Sequence, residues 1–280
     1  MAESDASSRF RRDGYLQVPG RIPEHELTAL RAEADRLINL AVNVQMATGR
    51  PGGRLEAVWR DDRLFARMMQ PVIDLSPPFL HSTSDARVLA PLRRLMGDEP
   101  RFAHDKLLYK QLLPGGEDIR TAMFPRDYDE GFVMHTDAGW YTAEDNYPPT
   151  AVTCAVFLDD SSGRGALSVL PGSHAQSFPC VRGGDIEEGC IDPRDLVEIN
   201  GAAGDLLFFH SRLVHASGKN DSGLPRRIFM ATYCPARDFT GDPDRRSRRK
   251  REPAQHVEAE YRELVASGSY TDAEHLISSQ

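Results

Sequence analysis

The tripeptide His135-Thr136-Asp137 has the spacing of a metal-binding clip. Among nine histidines and 42 acidic residues, one further pair has this spacing, His256-Val257-Glu258. Side chains two positions apart share a face on a strand but point to nearly opposite sides of a helix. His135 ends the strand-like run 131–134, whereas His256 lies in a helix-like pattern. We therefore expect only the first pair to close on one ion.

A second histidine would complete a set of two histidines and one carboxylate, which leaves open positions on non-haem Fe(II). The candidates are His210, which prolongs the apolar run 206–209, and His215, which precedes a turn-like segment. Arg226 stands eleven positions after His215 and opens the next strand-like run. Its guanidinium could hold a carboxylate through two parallel hydrogen bonds. Alternatively, His210, His215 and Arg226 are ordinary residues of a barrel without a role in metal or carboxylate binding.

The elements that must position these residues change in type along the chain. Apolar residues recur at three- and four-residue steps from Pro23 to Ala41, and further helices are predicted at about 61–69 and 84–96. After Glu99, short strand-like runs alternate with turns rich in Gly, Pro, Asp and Ser, which favours an antiparallel sandwich or barrel over βαβ units. The strands are predicted at 106–113, 131–135, 151–158, 166–170, 205–209 and 227–234. We expect one domain, with a helical N-terminal part (about 1–98), a β core (about 99–236) and a charged, helical tail (237–280).

Composition excludes several classes of protein. The 280 residues carry a formal net charge of −8, which argues against general nucleic-acid binding. No run of 18 apolar residues and no secretory signal are present, so we expect a soluble, cytoplasmic protein. The four scattered cysteines are expected to be reduced. The basic run Arg245–Arg251 is interpreted as a solvated loop or, alternatively, as a surface for an anionic ligand or partner.

From about Phe10 to Tyr233 the sequence resembles the phytanoyl-CoA dioxygenase family of Fe(II)- and 2-oxoglutarate-dependent oxygenases. The resemblance rests on the His135-x-Asp137 clip, on His215 with Arg226 eleven residues later, on the turn-containing stretch Gly165–His174, and on Lys110. The stretch from His135 to Val181 looks most like bacterial ectoine hydroxylases and proline-type hydroxylases, which act on small zwitterionic molecules.

The resemblance implies a double-stranded β-helix, the jelly-roll class, flanked by helices. It implies that His135, Asp137 and His215 bind Fe(II). It also implies that Arg226 and Lys110, with a hydrogen bond from Ser217, hold the cosubstrate 2-oxoglutarate. The implied reaction consumes O2, releases succinate and CO2, and hydroxylates an unactivated C–H bond of a small polar, amino-acid-like metabolite.

Four residues near the clip or near Lys110 are the expected walls of the substrate pocket. Asp105 offers a carboxylate for a substrate cation, and Tyr109, Trp140 and Tyr141 offer aromatic faces that also favour cations. Alternatives are desaturation or cyclisation of another natural-product intermediate, a zinc hydrolase with the same three ligands, and a non-catalytic small-molecule-binding jelly-roll protein.

Overall fold

The computed structural model describes residues 3–48, 54–60, 63–112, 131–144, 147–239, 242 and 255–268. Two antiparallel sheets form its core. The strands are β1 Tyr15–Val18, β2 Leu55–Arg60, β3 Arg63–Met69, β4 Pro100–Lys110, β5 Phe132–His135, β6 Val152–Phe157, β7 Leu167–Val169, β8 Cys180–Arg182, β9 Asp185–Ile186, β10 Val197–Ile199, β11 Leu206–His210, β12 His215–Ser217 and β13 Arg226–Pro235. One sheet has the order β1-β11-β6-β13-β4-β3-β2 and the other β10-β7-β12-β5-β9-β8. The six predicted strands correspond to β4, β5, β6, β7, β11 and β13.

Helices flank this β core in the described part of the chain. They are α1 Glu3–Asp13, α2 Glu24–Thr48, α3 Pro77–Thr83, α4 Ala86–Met96, α5 Asp137–Glu144 and α6 Gln255–Ser267. The start of α4 is capped by the Asp85 side chain, which accepts a hydrogen bond from the Arg87 backbone, and its end is formed by Gly97 in the left-handed region. The helices predicted from residue 23 and from residue 84 are therefore confirmed.

The helix predicted at 61–69 is wrong, because residues 63–69 form the strand β3. It pairs along its length with β2, and its end pairs with β4 through Met68 and Met69. Phe65, Ala66 and Met69 are buried in this arrangement. The run is too short for its periodicity to separate helix from strand, and the neighbouring strands decide the outcome. The N-terminal part thus contributes three strands as well as helices.

Alternation along the central strands β4 and β13 divides their side chains between two cores. Leu108, Ile228 and Met230 pack with Leu167 and Val169 of the second sheet, in the space between the sheets. Their neighbours Leu107, Phe229 and Tyr233 pack on the opposite face, with Leu37 of α2 and Phe79 of α3. Even-numbered residues of these strand segments therefore face the barrel interior, and odd-numbered residues face the helices.

No helix among the described residues is long and apolar enough to cross a membrane. The C-terminal helix α6 packs against α2, so the predicted tail joins the helical layer. The basic run 245–251 lies outside the described residues.

Candidate metal and cosubstrate site

Three predicted ligands come together at one end of the barrel. His135 is the last residue of β5, Asp137 is the first residue of α5, and His215 opens β12 directly opposite His135 in the strand pairing. Their ligand atoms all lie within 4.8 Å of one another. His210 lies elsewhere, with its ring 5.3 Å from that of His174 and its Nδ1 atom accepting a hydrogen bond from the Arg212 backbone.

The two histidines are prepared to bind a metal through Nε2. The Nδ1 atom of His135 lies 2.7 Å from the Val133 carbonyl oxygen, and that of His215 lies 3.0 Å from the Leu213 carbonyl oxygen. A carbonyl only accepts, so each Nδ1 carries the proton and donates it, which leaves the Nε2 lone pair for a metal. Burial lowers the pKa of both rings, that of His215 to about 3, and the neutral ring is the form that binds metals.

The Asp137 carboxylate completes this donor set. Burial opposes its ionisation, but the Lys106 ammonium and the two histidine rings hold the pKa of Asp137 well below its usual range. Its Oδ2 atom is buried and has no hydrogen-bond partner among the described residues. A buried acceptor of this kind is normally satisfied, and a metal ion between the three side chains would satisfy it. The residues present therefore fit a two-histidine, one-carboxylate metal centre.

A close backbone contact holds the clip in place. The Thr136 backbone donates a hydrogen bond to the Gly184 carbonyl oxygen, and the Ala138 backbone donates one to the Ser211 carbonyl oxygen. A Cβ atom on Gly184 would collide with the Thr136 carbonyl oxygen, so this approach requires glycine. The half-buried ring of Trp140 packs against the turn formed by Gly183 and Gly184. Trp140 thus anchors this turn, and its predicted contact with substrate stays a prediction.

A pair of buried cations lies on the interior face beside β12. Arg226 stands opposite Lys110 in the strand pairing, and both side chains are buried. The Lys110 ammonium donates a hydrogen bond to the Gly218 carbonyl oxygen, next to the buried Ser217. Because β12 also carries His215, this contact ties the cationic pair to the metal-ligand cluster. The three residues expected to hold 2-oxoglutarate therefore lie close together.

The neighbouring Arg227 faces the opposite side of the sheet. Its guanidinium pairs with Asp159 at 2.8 Å and with Asp35 at 2.6 Å. Those ion pairs connect β13 to the loop after β6 and to α2. Arg226, and not Arg227, is the arginine of this pair that faces the barrel interior.

The expectation that Asp105 and Tyr109 line the substrate pocket is wrong. Both are odd-numbered residues of β4 and face the helical layer. The Asp105 carboxylate accepts hydrogen bonds from the backbone N–H groups of Val72 and Ile73, at 2.6 and 3.3 Å. The Tyr109 hydroxyl donates to the Ala34 carbonyl oxygen in α2. Both residues are close to Lys110 in sequence, but neither side chain lies on the face of β4 that carries Lys110.

The interior face also carries polar residues that were not among the predicted site residues. The Lys106 Nζ atom lies 3.6 Å from Asp137 Oδ1. The buried Tyr141 hydroxyl lies 3.1 Å from His104 Nε2 and 3.4 Å from Thr232 Oγ1. Counting back by twos from Lys110 reaches Lys106 at the start of the strand predicted at 106–113, whereas His104 lies before it and is placed on this face because the observed strand begins at Pro100. Of the predicted pocket residues, Tyr141 is thus the one placed on this interior network.

Comparison with known proteins identifies relatives over most of the chain. The ectoine dioxygenase of Halomonas elongata is 28% identical over 247 residues, which cover 80% of this chain and 67% of the relative. That of Nocardia farcinica is 25% identical over 281 residues, covering 85% of this chain and 86% of the relative. The solved structure of EctD from S. alaskensis in its apoform has a TM-score of 0.67 at 23% identity, covering 87% of this chain and 80% of that one.

The likeness to EctD confirms the predicted jelly-roll fold with flanking helices. The predicted enzyme class, an Fe(II)- and 2-oxoglutarate-dependent dioxygenase, is confirmed by the relatives together with the His-Asp-His cluster. Residues 10–228 match the model of one protein family, described as phytanoyl-CoA dioxygenase (PhyH). The chain belongs to the phytanoyl-CoA dioxygenase family.

Proposed function

We propose that the chain hydroxylates an unactivated C–H bond of a small polar, amino-acid-like metabolite at Fe(II) held by His135, Asp137 and His215. The observation that carries this proposal is the convergence of the three ligand groups within 4.8 Å beside a buried arginine–lysine pair. Bound Fe(II) supplies the activation of O2, coupled to the oxidative decarboxylation of 2-oxoglutarate to succinate and CO2.

The protein's own residues bind and orient the reactants. The two Nδ1–H groups hold the histidine rings in the tautomer that presents Nε2. Arg226, with Lys110 and Ser217, provides the donors for the 2-oxoglutarate carboxylate that lies away from the metal. Ile228, Met230 and Leu108 line the same interior face and exclude water.

The relatives support a small polar substrate, since those that match most of this chain are named ectoine dioxygenases. The burial of the interior face is in keeping with a small molecule as substrate. We also propose that the protein acts in the cytoplasm.

Substitution of the ligands tests this function. We expect His135→Ala, Asp137→Ala and His215→Ala each to abolish Fe(II)-dependent release of succinate from 2-oxoglutarate, because each removes one of three ligands. His210→Ala is the matched control, since its ring packs against His174 outside the cluster. Loss of Fe(II) binding and activity in His210→Ala, with both retained in His215→Ala, would contradict the ligand assignment.

A further inference from the structure

Lys106 is a charged residue inside the barrel that is neither a proposed metal ligand nor a proposed 2-oxoglutarate-binding residue. It lies on the interior face of β4, opposite Met230 in the strand pairing. Its side chain is 16% exposed, and its Nζ atom lies 3.6 Å from Asp137 Oδ1. Among the described residues, Asp137 is its only ion-pair partner.

A metal ion at the cluster changes the environment of this ammonium. Fe(II) bound to Asp137 would take up the negative charge that faces Lys106. The ammonium and the metal would then be two cations sharing one carboxylate, and like charges repel each other. A largely buried cation requires a partner. In the loaded enzyme, a further anionic group beside Lys106 would therefore be stabilised.

The 2-oxoglutarate carboxylate that lies away from the metal is not that anionic group, because its proposed site is elsewhere on the interior face. Lys110 and Arg226 are paired at the end of β4 that is tied to Gly218. Lys106 is four residues away on the same face, about 13 Å along the strand at about 3.3 Å per residue. As far as the described residues define it, the interior face thus has two separate cationic positions, one beside β12 and one beside Asp137.

Asp105, the charged residue expected from the sequence to bind the substrate, does not lie on this interior face. The Asp105 carboxylate points to the backbone of Val72 and Ile73 in the helical layer, so it does not offer a negative charge to a substrate cation. Within the described part of the chain, the side chain that forms an ion pair with the ligand carboxylate is that of Lys106. Local charge here favours an anionic group on the substrate.

We propose that Lys106 binds a carboxylate of the organic substrate beside the metal and so selects substrates that carry one. This assignment rests on the proposed function and deepens it, because it names the charge of the substrate group closest to the reacting centre. A free amino acid or a related carboxylic acid fits this position, whereas its amide or ester lacks the charge.

The experiment compares wild type, Lys106→Gln, Lys106→Arg and Arg101→Gln with Fe(II), 2-oxoglutarate and ascorbate. The added compounds are the standard amino acids and related small carboxylic acids, each tested beside its carboxamide, and succinate release is measured. We expect at least one free acid to stimulate the wild type at least tenfold more than its amide. Lys106→Gln is expected to lower that stimulation at least tenfold, and Lys106→Arg is expected to retain part of it.

The control is Arg101→Gln, because Arg101 is an exposed cation at the far end of the same strand, and it is expected to behave as wild type. The KM for 2-oxoglutarate is expected to change less than twofold in Lys106→Gln. A tenfold increase in that KM would overturn the proposal, because Lys106 would then bind the cosubstrate.

Equal stimulation by acids and amides, stimulation only by amines that lack a carboxylate, or no stimulation by any acid would also overturn it. If such a result came with Fe(II)-dependent 2-oxoglutarate consumption intact, the proposed function would stand. Absence of any Fe(II)-dependent consumption in the wild type would contradict the proposed function itself.

Discussion

Two adjacent arginines at the start of β13 have opposite environments because strand neighbours face opposite ways. Arg226 is buried opposite Lys110. We expect Arg226→Ala to raise the KM for 2-oxoglutarate at least tenfold, because a two-point contact with a carboxylate is worth a few kcal/mol. Fe(II) affinity should change little, and steady-state kinetics with a metal-binding titration measure both.

Arg227→Ala is the matched variant, with a different expected effect. It removes one partner of the buried ion pair with Asp159, which costs about 3 kcal/mol of the free energy of unfolding. Urea denaturation measures this loss, while the KM for 2-oxoglutarate should stay as in wild type. An increase in KM in Arg227→Ala that equals or exceeds the one in Arg226→Ala would reverse the assignment.

Asp105 makes stability depend on pH. Burial raises the pKa of its carboxyl to about 7, so between about pH 4 and pH 7 the folded state holds a proton that the unfolded state has lost. This contribution to the free energy of unfolding falls as pH rises through that window, by up to about 1.4 kcal/mol per pH unit. Asp105→Asn keeps an oxygen acceptor for Val72 and Ile73 but cannot ionise. We expect its stability relative to wild type to increase from pH 4 to pH 7 and then level off, as measured by urea denaturation.

A stability difference between Asp105→Asn and wild type that is the same at pH 4 and pH 8 would contradict this prediction. Measuring the difference between the two proteins removes the contributions of other titrating groups, such as the buried histidines, that both proteins share.

At the scale of elements, one buried arginine joins three parts of the fold. Arg54 precedes β2 and pairs with Glu258 of α6 at 2.6 Å and with Asp74 at 2.7 Å. Its guanidinium also lies 5.5 Å from the Tyr261 ring centroid. Arg54 and Glu258 are both buried, so removal of Arg54 would leave the Glu258 carboxylate without this partner, whereas removal of Glu258 would leave Arg54 paired with Asp74 alone.

We expect Glu258→Ala to lower the free energy of unfolding by about 2 kcal/mol, because Arg54 loses charge-assisted hydrogen bonds but keeps its pair with Asp74, and to increase amide hydrogen exchange throughout α6. Glu263→Ala is the control, since Glu263 lies on the same helix but is exposed. Equal exchange and equal urea midpoints in the two variants would show that the ion pair does not hold α6 in place.

The strand pattern explains which parts of the site could be predicted from the sequence. The two-residue spacing of His135 and Asp137 correctly predicts that they come together, but the expected strand geometry applies only to His135, because β5 ends there and Asp137 begins α5. The helix predicted at 61–69 is wrong because residues 63–69 pair with β2 and β4. The local sequence pattern does not contain this pairing. The prediction that Asp105 and Tyr109 line the pocket is wrong, because closeness to Lys110 along a strand does not determine which face a side chain occupies. A separation of an even number of positions places two side chains on the same face, and both residues lie an odd number of positions from Lys110.

At the scale of the whole molecule, net charge and local charge have opposite signs. The chain carries a formal net charge of −8, which suggests a cationic substrate. The interior face nevertheless carries Lys106, Lys110 and Arg226. Surface charges are screened over about 8–10 Å, so the buried cations control the potential at the site. A barrel of this kind attracts dicarboxylates such as 2-oxoglutarate although the protein as a whole is acidic.

The yield of succinate from 2-oxoglutarate, measured for the purified wild-type protein with Fe(II) and with Zn(II) in its place, decides between an Fe(II)-dependent oxygenase and a zinc hydrolase. We predict Fe(II)-dependent consumption of 2-oxoglutarate with one succinate formed per molecule consumed, and none with Zn(II), because zinc has no redox chemistry. No succinate with Fe(II), or turnover of a hydrolysable substrate supported by Zn(II), would contradict the assignment of this protein as an Fe(II)-dependent oxygenase.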